Sequence, residues 1–264
     1  MDSGVILWDL TSDQQIHRIL DGKHGFVWQV SFSPDGKTLA AGNDDHTVSL
    51  WDTNSFQESI LKFDAPVYHL AFSPDSKLLA IGTKRGRIVL RDMTTSESID
   101  LQPNTKRNVN GLAFSPDNKT LAASLSFDRE SPIMLWDVPT RSILRQSLTI
   151  DDAFGGGLSF NKDGSLIIWL DRKGVVKLWH MGRGQLFARI PTDNAGFGQN
   201  LASTPDGRLI THDEKGTIVF WDWNINTWIA RACRVANRTL TPAEREEYLL
   251  DPNDNGICSP SRSD

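Results

Sequence analysis

Two short motifs recur along the chain at a nearly constant spacing. Copies of the first, which reads FSPDG in its fullest form, begin at Phe32, Phe72, Phe114, Phe160 and Ser203. The second motif reads LWD, and its central residue is Trp8, Trp51, Arg91, Trp136, Trp179 or Trp221. Successive central residues are 43, 40, 45, 43 and 42 positions apart. A period of this size indicates that one supersecondary unit is stacked several times.

Each unit reads as four short strands. In the first full unit, residues 26–33 alternate between apolar and polar residues and end at a Pro-Asp-Gly turn. Strand-like segments follow at 37–42, 47–52 and 56–63, separated by turn residues. Units of this length with four antiparallel strands are typical of β-propeller blades. Because one blade cannot bury both of its faces, the blades must stack to form a core.

The units can be counted along the chain. Residues 3–20 supply only a third and a fourth strand, and full units begin near 26, 66, 108, 154 and 197. We therefore expect an all-β propeller of about five and a half blades over residues 1–225. Three arrangements remain open: the C-terminal part of a longer ring of about seven blades, an irregular six-blade ring, or an assembly in which chains share strands.

The two motifs resemble those of the WD-repeat family, and the likeness covers about residues 3–222. The resemblance implies that the SPDG turns lie on a lower face and that the hairpin NDDHT (43–47) lies on an upper face. The family builds a buried polar set, to which His24, Asp45 and Trp51 correspond, although Ala41 replaces its hydroxyl residue. We expect structural roles for His24, Asp45, Trp51, Trp136, Trp179 and Trp221. Because the polar set is incomplete, apolar stacking should dominate.

The last part of the chain differs in composition from the repeats. Residues 226–251 predict a helical cap of two helices, the second opened by the capping box TPAE at 241–244, and 252–264 predict a flexible tail. The segment 232–249 resembles the closing segment of bacterial, particularly cyanobacterial, WD-repeat proteins. That resemblance implies the C-terminal, ligand-sensing part of a larger signalling protein.

Several function classes are disfavoured by composition. The net charge is −5 and no basic stripe is present, which argues against nucleic-acid binding. No signal peptide and no run of about 18 apolar residues is found, so we expect no membrane span. The two cysteines, Cys233 and Cys258, indicate a reducing cytoplasm rather than a disulfide framework. Cysteine and histidine show no metal-ligand spacing, and no catalytic set or cofactor loop can be named.

The remaining candidate is a surface formed by the upper ends of the blades. Aligned first strands place Trp28, Tyr68, Asn110, Gly156 and Gln199 at one position. Aromatic residues beside charged hairpin residues are typical of protein-binding hot spots. We predict a protein or peptide partner at Phe26, Trp28, Asp44, Tyr68, Lys84, Arg85 and Arg172. The alternatives are aromatics packed between blades, a hydrolase or lyase site in the central channel, or a gene fragment without function.

Overall fold

The computed structural model of the chain describes residues 4–9, 14–18, 25–102, 107–126, 133–148, 154–171, 174–191, 201–203, 208–212 and 218–222. All regular elements within these ranges are β-strands. The predicted helical cap (226–251), the tail (252–264) and both cysteines lie outside them.

The strands form six antiparallel sheets in chain order. A half-sheet has two strands, sheets I to IV have four each, and sheet V has three described strands. The half-sheet is β1 (Ile6–Asp9) and β2 (Gln14–Arg18). Sheet I is β3 (Val27–Phe32), β4 (Thr38–Asn43), β5 (Thr47–Asp52) and β6 (Glu58–Lys62). Sheet II is β7 (Val67–Phe72), β8 (Leu78–Thr83), β9 (Ile88–Asp92) and β10 (Ser98–Gln102).

Sheets III to V continue the same order. Sheet III is β11 (Asn108–Phe114), β12 (Thr120–Ser126), β13 (Ile133–Asp137) and β14 (Ser142–Leu148). Sheet IV is β15 (Phe154–Phe160), β16 (Leu166–Asp171), β17 (Val175–His180) and β18 (Gln185–Pro191). Sheet V is β19 (Leu201–Ser203), β20 (Arg208–His212) and β21 (Ile218–Asp222). The predicted all-β fold of four-stranded antiparallel blades is confirmed.

The LWD motif joins sheet I to both of its neighbours. Side chains of consecutive strand residues point to opposite faces. Leu50 therefore packs with Val67 and Phe72 of the following sheet. Trp51, which is 2% exposed, packs on the other face of sheet I against Val5 of the half-sheet. Each third strand thus contributes to two interfaces.

The other LWD tryptophans vary in burial. Trp136 is fully buried, in contact with sheet II residues such as Leu90, and Trp179 is partly buried against the sheet III side. In sheet II, Arg91 replaces the tryptophan and turns to the nearby loop, where its guanidinium donates to the Ser96 carbonyl at 2.9 Å. His24 lies outside the described residues, and of Trp221 only the backbone is described.

The phenylalanine that opens the FSPD motif packs against the preceding sheet. Phe72, Phe114 and Phe160 are all buried there. Phe32 is 53% exposed, because the half-sheet before it has only its two outer strands among the described residues. Phe220 of sheet V is also more than half exposed, since no described sheet follows. The described sheets therefore form a stack with apolar surface at both ends.

The SPDG turns connect neighbouring sheets at the lower face. The Ser33 hydroxyl donates to Asp35 Oδ1 at 2.6 Å and accepts from the Thr38 N–H at 2.9 Å, and the same pair of bonds recurs in sheets II and III. The Asp35 N–H donates to the Ser76 hydroxyl of the next turn at 3.0 Å, and the Asp75 N–H donates to Asn118 Oδ1 at 3.1 Å. The motif thus closes its own turn and also binds the adjacent one.

Sheet IV contains a buried ion pair. Lys177 Nζ lies 3.2 Å from Asp171 Oδ2, and the two side chains are 2% and 1% exposed. In sheet I, the equivalent positions of the second and third strands carry Asn43 and Ser49, and the Asn43 amide donates to the Ser49 hydroxyl at 3.2 Å. The same pair of buried positions therefore accepts either a charged or a neutral polar contact.

We predict that Lys177→Met lowers the free energy of unfolding by about 3–5 kcal/mol, because the buried Asp171 carboxylate loses its counter-charge. Denaturant unfolding at neutral pH measures the loss. The double variant Asp171→Asn/Lys177→Ser reproduces the sheet I pair. It should lose less stability than the single variant, since it buries a neutral hydrogen bond instead of an unpaired charge. An equal or larger loss in the double variant would contradict this account of the pair.

His69 is a titratable group on a first strand. It occupies the position held in sheet I by Gln29, whose side-chain carbonyl accepts the Leu70 N–H at 2.7 Å. Burial lowers the pKa of His69 from 6.5 to about 4. The folded state therefore favours the neutral imidazole.

We expect the free energy of unfolding to fall as the pH drops from about 6.5 towards 4. Over that range the unfolded chain takes up a proton at His69 that the folded chain excludes, and the contribution is fully present only above the unfolded pKa. The variant His69→Gln, which places the sheet I residue at this position, should show a shallower decline. Urea unfolding at a series of pH values measures both slopes, and identical slopes would rule out His69 as the source.

A candidate protein-binding surface at the upper ends of the sheets

A β-bulge recurs near the upper end of the first strands. The register shifts between Val27 and Gln29, between Val67 and His69, and between Val109 and Gly111. The residues inside these shifts are Trp28, Tyr68 and Asn110. A bulge leaves one residue out of the ladder and re-aims its side chain. Three neighbouring sheets therefore present a side chain at the same upper position.

The aromatic residues of sheets I and II contact one another. The ring centroids of Trp28 and Tyr68 are 4.5 Å apart with an interplanar angle of 52°, and those of Phe26 and Trp28 are 4.8 Å apart at 63°. Phe26 and Trp28 are 57% and 45% exposed, whereas Tyr68 is partly buried. We call Phe26, Trp28 and Tyr68 the aromatic cluster. It bridges two sheets and still offers a large apolar surface to solvent.

Charged residues of two hairpins contact the aromatic cluster. The Trp28 indole N–H donates to Asp44 Oδ1 at 3.1 Å, and the Asp44 N–H donates to the Phe26 carbonyl at 2.8 Å. The Lys84 ammonium lies 5.9 Å from the centre of the Tyr68 ring, within the range of a cation–π contact. These contacts restrict the tryptophan ring before any partner binds.

Arg85 and Arg172 were also predicted to belong to this surface. Arg85 follows Lys84 in the β8–β9 hairpin and is exposed, while Arg172 lies outside the described residues. Asp45, which was predicted to be structural, accepts hydrogen bonds from the backbone N–H of Thr47 at 3.2 Å and from its hydroxyl at 2.5 Å. Asp45 therefore stabilises its own turn.

A depression of about 430 Å³ lies beside the aromatic cluster. It is lined by His46, Asp64, Ala65, Pro66, Lys84, Arg85 and Asn108. Sequence reasoning placed the hairpin that contains His46 on the upper face, but it did not name His46, Asp64 or Asn108 as binding residues. Their signal was available, because they occupy a hairpin, a linker and the start of a first strand, respectively, at the upper ends of three successive units. The depression adds a polar compartment to an otherwise aromatic surface.

The described part of the chain contains no group of three or more His, Cys, Asp or Glu side chains arranged to hold a metal ion. Within the same residues, no helix has the length and apolar character needed to cross a membrane.

Stacked four-stranded sheets with a repeated LWD strand define the chain as a protein of the β-propeller repeat class. Residues 14–52 match the family described as "WD domain, G-beta repeat". Residues 70–154 match the "Anaphase-promoting complex subunit 4 WD40 domain". These two stretches of the chain are therefore similar to WD40 repeats.

Three curated relatives are similar to parts of the chain. WD repeat-containing protein SL1-17 of Schistosoma mansoni is 28% identical over 150 residues, which cover 56% of this chain and 48% of the relative. Protein HIR1 of Mycosarcoma maydis is 45% identical over 21% of this chain and 5% of its own length. Cross-pathway control WD-repeat protein 2 of Flammulina velutipes is 40% identical over 20% of this chain and 18% of its own. The matched region spans less than half of each relative.

The exposed Trp28 and the buried Trp136 should contribute very differently to folding. We expect Trp28→Ala to change the free energy of unfolding by no more than about 1 kcal/mol, because the ring already faces solvent. Trp136→Ala should cost about 3–5 kcal/mol, because it leaves a cavity between sheets II and III. Denaturant unfolding of both variants measures the difference, and a comparable loss for Trp28→Ala would identify Trp28 as a core residue.

Proposed function

We propose that the chain is a non-catalytic protein-interaction module, a scaffold or sensor, whose partner binds the aromatic cluster at the upper face. The observation that carries the proposal is the contact of three aromatic rings across two sheets, with two of them about half exposed. Aromatic side chains are enriched at binding hot spots because they bury a large area at a low cost in conformational entropy.

The hydrogen bond from Trp28 to Asp44 supports the same proposal. A surface tryptophan that is only packed for stability gains little from a fixed orientation in solvent. A binding residue gains more, because its rotamer is restricted before the partner arrives and less entropy is lost on association. The cation–π contact between Lys84 and Tyr68 likewise restricts the Tyr68 side chain on the neighbouring sheet.

The finer parts of the proposal are a cytoplasmic location and a place within a larger bacterial signalling protein. The location is supported by the scarcity of cysteine, and the larger protein only by the resemblance of segment 232–249. The curated relatives named above come from eukaryotes, and the described residues do not include that segment. Completion of the ring between chains, which would make an oligomer, is supported by the exposed apolar residues at both ends of the stack.

Affinity capture with the purified chain tests the binding surface. We expect Trp28→Ala and Tyr68→Ala each to reduce recovery of a specific partner by at least about tenfold, the effect of removing a hot-spot side chain. The matched control is Leu144→Ala, since Leu144 is a 54% exposed apolar residue on β14 of sheet III, outside the aromatic cluster and outside both ends of the stack. Quantitative mass spectrometry compares the captured proteins. Equal recovery with all three variants would overturn the proposed surface.

A further inference from the structure

His46 adopts a backbone conformation that favours glycine. Its φ is +70°, and it lies in the hairpin between β4 and β5. The equivalent hairpin positions in sheets II and IV, five residues before the LWD centre, are Gly86 and Gly174, with φ of +78° and +75°. The hairpin of sheet I therefore carries a ring where these related hairpins carry no side chain. His46 is exposed and lines the depression.

Hydrogen-bond donors without partners converge on the depression. His46, Lys84, Arg85 and Asn108 all carry side-chain N–H groups and line it. Within the described part of the chain, none of these four side chains makes a hydrogen bond or an ion pair, and Lys84 makes only its cation–π contact. A ligand that brings acceptor atoms would satisfy donors that the protein itself leaves available.

The carboxylates near the depression are already engaged. Asp64, the acidic residue that lines it, lies 3.6 Å from Arg87, and Arg87 also donates to Asp100 at 2.7 Å. Asp44 and Asp45 on the neighbouring hairpin accept hydrogen bonds from the neutral donors of Trp28 and Thr47, so they keep their charge, but they do not line the depression. Lys84 and Arg85 are therefore the charges without a carboxylate partner in the described lining, and they favour an anion.

We propose that this depression is an anion subsite for a carboxylate or phosphate group on a side chain of the bound protein segment. Lys84 connects the depression with the aromatic cluster, since it lines the depression and lies over the Tyr68 ring. A segment that places an apolar side chain on the aromatic cluster can therefore place an acidic or phosphorylated residue in the subsite. The anion chemistry stands on the lining residues alone, whereas its role in partner recognition rests on the proposed function.

Titration of the whole chain with small anions, followed by ¹H–¹⁵N NMR, tests the subsite. The probes are inorganic phosphate, N-acetyl-O-phosphoserine amide and N-acetylglutamate amide. We expect saturable shifts at the amides of His46, Lys84 and Arg85. The phosphate probes binding more tightly would assign the subsite to a phosphorylated residue, and the glutamate probe binding more tightly would assign it to an acidic one. Absence of saturable shifts with every probe overturns the proposal.

Two variants distinguish a specific anion site from general attraction to a charged surface. Arg85→Gln should weaken the tighter probe about tenfold, the effect expected when one charge-assisted hydrogen bond is lost. The matched control, Arg183→Gln, removes an exposed arginine from the β17–β18 turn of sheet IV and should leave affinity unchanged. Equal weakening by both variants would show non-specific attraction and overturn the subsite.

His46→Gly provides a test that does not endanger the fold. It places glycine where sheets II and IV already have it, so the melting temperature should stay the same or rise. Affinity for the tighter probe should fall several-fold, and unchanged affinity would remove His46 from the subsite and contradict the proposal. Because these titrations need no partner protein, their failure is distinguishable from failure of the capture experiment with Trp28 and Tyr68 variants.

Discussion

The structure depends on the way the third strand of each sheet packs on both sides. Leucine and tryptophan of the LWD motif are consecutive, so they enter the interfaces with the following and the preceding sheet. Neither interface is complete without its neighbour, which makes the stack rather than the single sheet the unit of stability. The same dependence accounts for the exposure of Phe32 and Phe220, which lie at the two ends of the stack of described sheets.

The two ends of the sheets serve different purposes. The lower turns are nearly identical in three sheets, because a serine hydroxyl, an aspartate and a left-handed residue together close each turn. The first two of these turns also bind the next one. The upper hairpins and bulges differ from sheet to sheet, and they carry His46, Lys84 and the aromatic cluster. Repetition maintains the scaffold at one end, and variation at the other end creates a surface with its own chemistry.

Much of this surface could be predicted from the alignment of the repeat units alone. Aligning the units on FSPD placed Trp28 and Tyr68 at one position of adjacent first strands, and the structure brings their rings into contact. The alignment did not reveal that this position is a bulge. The register shift arises from backbone pairing, and no particular residue type in the sequence signals it. The left-handed conformation of His46 was missed for a similar reason, since NDDHT reads as an ordinary turn. The buried pair of Lys177 and Asp171 was also missed, because both residues look like surface residues in the sequence.

By itself, the sequence determined the repeat, the four strands of each unit, and the residues that face each interface, because motif spacing and strand alternation are local properties. Only the tertiary structure decided which upper residues meet. Trp28 reaches Tyr68, and His46 shares a depression with Arg85 and Asn108, because adjacent sheets stack closely enough for the ends of three units to converge. That convergence depends on distances between residues about 40 positions apart, which no local pattern encodes.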